Sequence, residues 1–200
     1  LVDPRNTNGE GQKRFWGMAS INLDDFDDSS LAQRRVDALA SYFEKRPDLF
    51  IGIKLAHAHQ GIEFDDPNLL AVYDVAAMYQ TPVLLHTGKT PFPGAVNEPD
   101  YYDPISLEST IMNYNGENGN PRVEFVLSHV GRGDVRSAEH SLYLAEQYDN
   151  VWLELSALGG TFQTDAEGND VEYSEPMYVW VLDEIKNRNL VGRSLFATDG

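Results

Sequence analysis

Five histidines and a handful of carboxylates carry most of the chemistry open to this 200-residue chain. His86 closes the apolar run Val83-Leu84-Leu85, and His129 closes Phe125-Val126-Leu127-Ser128. Asp199 follows Leu195-Phe196-Ala197-Thr198. Two neutral imidazoles and a carboxylate suit Zn, Mn or Fe(II), with a fourth position left for water to be activated. The chain has no cysteine, so any transition metal must be held by imidazole and carboxylate. A single histidine is more often a satisfied polar group near a core than a ligand. Three ligand-type residues ending three apolar runs shift that balance toward a metal site.

Lys54, Glu154, His57 and His59 are the next candidates, as groups that touch substrate. Strand alternation sets Lys54 opposite Ile53 and Leu55, and sets Trp152, Glu154 and Ser156 opposite Leu153 and Leu155. A lysine and a glutamate turned inward are costly unless paired or bound to a metal. A Lys54–Glu154 ion pair competes on equal terms with a catalytic role. His57 and His59 stand just past a strand end, at a substrate mouth or packed in a loop. His140, next to Glu139, reads as a surface residue of a helix.

The elements that must position these residues alternate. Apolar strands are predicted at 15–23, 50–56, 82–86, 123–129, 151–156 and 194–198. Helices are predicted at 31–45, 66–79, 135–148 and 175–187, with a helical stretch near 104–113. Ser29 or Ser30 is the expected cap of the first helix, and Asp66-Pro67 opens the second. Strand–helix alternation of this kind gives an α/β fold with parallel strands. No strand is followed by a G-x-G-x-x-G turn, which argues against a dinucleotide-binding sheet. In a parallel barrel the strand ends open on one face, where active sites sit. The segment 87–121 leaves the strand that carries His86. Its Pro91-Phe92-Pro93-Gly94 and Asp100-Tyr101-Tyr102-Asp103 stretches form a lid, a substrate wall or a subunit contact.

Five segments, in order, resemble the amidohydrolase-2 family of metal-dependent enzymes. They are Ile53-Lys54-Leu55 with its trailing histidines, Leu84-Leu85-His86-Thr87-Gly88, Leu127-Ser128-His129-Val130-Gly131, Asn150-Val151-Trp152-Leu153-Glu154 and Leu195-Phe196-Ala197-Thr198-Asp199-Gly200. The resemblance implies a (β/α)8, or TIM, barrel of which strands three to eight are present. Residues 1–200 would then form one metal-dependent hydrolase domain, incomplete at both ends. It implies His86, His129 and Asp199 as ligands of one divalent metal, zinc ahead of manganese or iron. Asp199 would also accept a proton, and His129 would hold the metal or polarise the scissile group. The family's H-x-H pair should end strand one. His57-Ala58-His59 has that spelling but follows the strand that matches strand four, so it stands outside the metal set. Lys54 lies where binuclear relatives carry a bridging lysine, and is assigned to substrate or structure.

Composition narrows the partners. Asp and Glu outnumber Lys and Arg by 32 to 15, for a formal charge of −17. Such a surface repels nucleic acid and anionic membranes. No apolar run approaches the roughly 20 residues of a membrane span. The absence of cysteine suits a reducing compartment, so the cytoplasm is the expected location, with a homo-oligomer left open. The expected activity is hydrolysis of a small ester, lactone or amide by metal-activated water. Decarboxylation on the same scaffold is the alternative, followed by an inactive fragment or a non-catalytic binding protein.

Overall fold

The computed structural model describes residues 16–24, 26–173 and 175–198. Six strands alternate with helices: β1 (Gly17–Ser20), β2 (Phe50–Leu55), β3 (Val83–Gly88), β4 (Phe125–Arg132), β5 (Val151–Glu154) and β6 (Ser194–Leu195). They lie in one sheet in sequence order, and every neighbouring pair is parallel. That order, with a helical crossover before each new strand, is six consecutive strands of a (β/α)8 barrel. Among the described residues β1 pairs only with β2 and β6 only with β5, so the array is a partial barrel.

In the α-helices that follow β1, β2 and β4 a capping aspartate precedes residues that are buried on one side. In α1 (Ser29–Lys45) Asp28, not Ser29 or Ser30, is the cap, accepting from the backbone N–H of Ser30 and Leu31. Its Oδ1 accepts from both, and its negative charge suits the positive end of the helix dipole. Ala32, Val36, Leu39 and Phe43 then recur at helical spacing and are buried. Asp66 caps α2 (Pro67–Met78) through Asn68 N, with Pro67 in the first turn. Asp134 caps α5 (Val135–Gln147) through Ser137 N at 2.8 Å and also accepts from Tyr102 Oη and Thr164 Oγ1. The last helix, α6 (Met177–Asn187), starts two residues later than expected because Pro176 is its cap.

Register divides each strand into two faces. Ile53, Leu55, Val83, Leu85, Phe125, Leu127, Val151 and Leu153 are all buried toward the helices and form the centre of the core. The opposite face carries Lys54, Leu84, Val126 and Trp152 in one row. One layer further toward the strand ends come His86, Ser128 and Glu154. Alternation therefore delivers the polar groups to the barrel interior, as expected of Lys54 and Glu154.

The excursion between β3 and β4 contains α3 (Pro99–Tyr102), a 3-10 turn at Pro104–Leu107 and α4 (Glu108–Asn113). It is anchored at both ends. Buried Asn150 donates from Nδ2 to the carbonyls of Tyr114 and Val123, each at 3.1 Å. His140, expected at the surface, is half-buried instead. Its Nδ1 meets Asp103 Oδ1 at 2.7 Å, tying the excursion to α5 together with Arg136. Long-range pairing of this kind leaves no local trace in the sequence.

Candidate active site at the strand ends

His86 and His129 leave the ends of adjacent strands, and their ring centroids lie 5.0 Å apart. Both are buried. His59 extends the row on the other side, 4.5 Å from His86 in a T-shaped contact, and Phe92 of the excursion packs on His59 at 5.3 Å. A 3-10 turn at His57–Gln60, where a plain loop was expected, swings His59 into this position. Gly61 closes the turn in the left-handed conformation.

The backbone fixes which ring nitrogen carries each proton. His86 Nε2 lies 3.1 Å from the Gly88 carbonyl. A carbonyl only accepts, so Nε2 is the protonated nitrogen and Nδ1 keeps its lone pair. At His129 the choice reverses. Nδ1 faces the Ser156 carbonyl at 3.3 Å and Ser156 Oγ at 2.9 Å. Ser156 Oγ gives its own hydrogen to Glu154 Oε2 at 2.8 Å, and so accepts from Nδ1–H. Nε2 of His129 is therefore the lone-pair side. Glu154 Oε1 also accepts from Ser156 N at 2.9 Å, which locks the relay. Lys54 Nζ donates to Ser128 Oγ at 3.0 Å, in the same inner layer.

Thr87 holds the two strand ends together. Its hydroxyl donates to the Ser128 carbonyl at 2.7 Å and accepts from Gly131 N at 2.9 Å. Beyond it the chain takes left-handed dihedrals at His129, Val130 and Gly131, with φ of 69°, 42° and 68°. A β-branched residue in that region is strained, and such strain gathers at functional sites. Thr87, Ser128 and Ser156 were not singled out as site residues. The alternation that turned Glu154 inward does the same for Ser128 and Ser156, and is the signal that points to them.

Burial disfavours the charged form of His57, His59 and His86. His86 is pushed down to about 2, first by burial and then by its basic neighbours His129, His59, Lys54 and His57, beside which another positive charge is unfavourable. His59 is lowered by burial and by Lys54. His57 is wholly buried with its ring 4.1 Å from Phe64, and neither ring nitrogen makes a well-formed hydrogen bond. Burial, then Lys54 and His59, lower it to about 3, with only the Tyr101 backbone pulling the other way. The ordinary value is 6.5, so below that pH the unfolded chain takes up a proton that the fold refuses. Stability is full above 6.5 and falls as the pH drops toward 3. Urea unfolding of metal-free protein between pH 7 and 5 is expected to show this loss. His57→Phe should reduce the slope by up to about 1.4 kcal/mol per pH unit; an unchanged slope would mean that the folded protein protonates His57 readily.

Imidazoles with one N–H committed to a carbonyl or carboxylate relay, so that the ring orientation is fixed, are the donor type that divalent metals take. His86 and His129 fit that requirement. Among the described residues no group of three His, Asp or Glu side chains is arranged to hold a metal. Asp199, the third predicted ligand, lies outside the described residues. Nor is any helix among them long and apolar enough to cross a membrane.

Comparison with known proteins agrees with this architecture. A family model described as amidohydrolase matches residues 13–199. Similar solved structures include 2,6-dihydroxybenzoate decarboxylase from Rhizobium, with a TM-score of 0.56, 14% identity, and coverage of 94% of this chain and 60% of that one. For 5-carboxyvanillate decarboxylase from Sphingomonas paucimobilis the TM-score is 0.50 at 14% identity, covering 94% of this chain and 56% of that one. These likenesses show a shared fold, and the chain spans about 60% of the length of such structures. A comparison by sequence with curated proteins finds no match. With a family match over nearly its whole length, this chain belongs to the amidohydrolase family, in its amidohydrolase-2 branch.

Proposed function

We propose that the protein is a metal-dependent hydrolase acting on a small ester, lactone or amide, with His86, His129 and Asp199 holding one divalent cation, zinc first. The supporting observation is the His86–His129 pair, 5.0 Å between centroids, with one nitrogen of each ring engaged by a backbone carbonyl or by Ser156. When bound, the metal would supply Lewis acidity toward water or a carbonyl oxygen. The Ser156–Glu154 relay holds His129 in one tautomer and orientation. His86 stays uncharged through its burial. Asp199, as a carboxylate, takes the proton from the attacking water. Lys54 and His59 supply donors for the polar end of the substrate, and Phe92 covers His59 from the solvent side. Lys54, His57, His59 and Glu154 are thus proposed to shape or support the substrate site.

Decarboxylation is the second reading, since it is the reaction named for both fold neighbours above. Metal content and products decide. The purified protein should carry about one divalent metal per chain, lose activity to a chelator and regain it with zinc or manganese. Esters and lactones should yield acid and alcohol, while a carboxylated aromatic should release no carbon dioxide. Carbon dioxide from the aromatic with no ester or lactone turnover would replace hydrolysis by decarboxylation. An absence of stoichiometric metal would overturn both.

A further inference from the structure

A second polar cavity, of about 300 Å³, opens at the same strand ends as the histidines, yet none of the histidines lines it. Its walls include Lys89, Arg132, Thr90, Thr161, Gln163 and Met177. Lys89 follows β3 three residues after His86, and Arg132 ends β4 three residues after His129. The two are joined at the backbone, where Lys89 N donates to the Arg132 carbonyl at 2.6 Å. Gly88 makes this approach feasible: a Cβ there would collide with the backbone of Gly131 and Arg132. Gly133, at φ +79°, forms part of the lining, and the Lys89 Cβ lies 3.3 Å from where its own Cβ would be. The missing side chain leaves room for the lysine stem.

The charges are the informative part. In a chain of net charge −17, most described arginines are tied to acids or carbonyls. Arg122 meets Glu124 and Asp149, Arg136 meets Asp103, Arg188 meets Glu184, and Arg193 meets the Ala145 carbonyl. Among the described residues neither the Lys89 ammonium nor the Arg132 guanidinium has a hydrogen bond or ion pair, and both are half-buried on the same cavity. Two cations that repel each other in a shared recess, amid a surplus of acids, are stabilised when an anion sits between them. Guanidinium and ammonium together with Thr and Gln donors suit carboxylate or phosphate oxygens.

We propose that this cavity is an anion-binding subsite, held by Lys89 and Arg132, for the carboxylate or phosphate group of a small molecule. Resting on the proposed function, the same molecule presents its reactive end to the His86–His129 row, so the substrate is an anionic ester, lactone or amide. Anion binding itself requires no metal and can be tested without one.

The test is an NMR titration of the metal-free protein at physiological salt with inorganic phosphate, glutarate and, as a neutral control, acetamide. Millimolar binding of at least one anion is expected, with shifts concentrated at the amides of Gly133, Gly160 and Thr161. Phosphate alone would mark a phosphorylated ligand, and glutarate a carboxylated one. Lys89→Gln with Arg132→Gln should weaken binding about tenfold or more, while amide shifts far from the cavity stay unchanged and report an intact fold. Each single variant should fall between. No saturable shift with either anion, an equal response to acetamide, or full binding by the double variant would overturn the subsite. Because the titration excludes metal, its failure leaves the His86–His129 metal reading standing, and a protein that binds anions but no divalent metal would show the reverse.

Discussion

Asp199→Asn is expected to lower kcat by roughly 10³-fold or more with the fold intact. Lewis-acid activation with a positioned proton acceptor is worth several kcal/mol, and each 1.36 kcal/mol or so is tenfold in rate. Asparagine can still offer a carbonyl oxygen to a metal, but it cannot accept a proton near neutral pH. Excess zinc or manganese should therefore fail to rescue Asp199→Asn. His86→Asn should behave differently. Its main loss is affinity, because a buried imidazole lone pair is replaced by a poor donor. Saturating metal should restore a measurable part of its rate. His86 is neutral in the fold, so replacing it breaks no ion pair, and the fold should survive. Metal content by elemental analysis, rates with and without added metal, and circular dichroism separate these outcomes. Wild-type rates from both variants would end the metal-site reading.

The sequence was most informative where its signals were periodic. Alternation placed Lys54 and Glu154 on the inner face, and the sheet register puts them there, in layers with Leu84, Val126, Trp152, His86 and Ser128. Asp66-Pro67 announced α2 because cap and first-turn proline act locally. Signals weakened where several residues could do the same work, as at Asp28-Ser29-Ser30, where the carboxylate won the cap. They failed where the deciding contact was distant. His140 looked like a surface residue until Asp103, 37 positions away, approached to 2.7 Å. β4 runs on through Arg132, past the predicted strand end at His129, because β3 keeps pairing with it beyond His86. The His129 tautomer depends on Ser156 and Glu154, which meet it only across the β4–β5 pair. The role of Asp199 was read from the motif, and its position lies outside the described residues.

Close backbone approach also explains why His86 and His129 are each followed two residues later by a glycine, Gly88 and Gly131. Gly131→Ala is expected to prevent folding, or to destabilise the protein by more than about 4 kcal/mol, in the range reserved for severe core and backbone lesions. Two costs add. Gly131 has φ +68°, where an L side chain is strained by about 1–2 kcal/mol. Its Cβ would also fall inside the backbone of Ser137 and Ala138, in the first turn of α5. Backbone cannot swing aside as a long side chain can, so either α5 lifts off the sheet or the His129–Gly131 turn changes course. Either shift breaks the Thr87 bond to Gly131 N and misplaces His129. Gly88→Ala meets the backbone of Gly131 and Arg132 and should be comparably severe. Two further glycines calibrate the effect. Gly133→Ala, at φ +79°, meets only the Lys89 side chain, and Gly94→Ala, at φ +83°, meets nothing within 4 Å. Gly94→Ala should cost only the conformational strain of about 1–2 kcal/mol, and Gly133→Ala somewhat more. Urea midpoints across the four variants should fall in that order. A Gly131→Ala protein no less stable than Gly94→Ala would show that the strand end and α5 are further apart than their packing here requires.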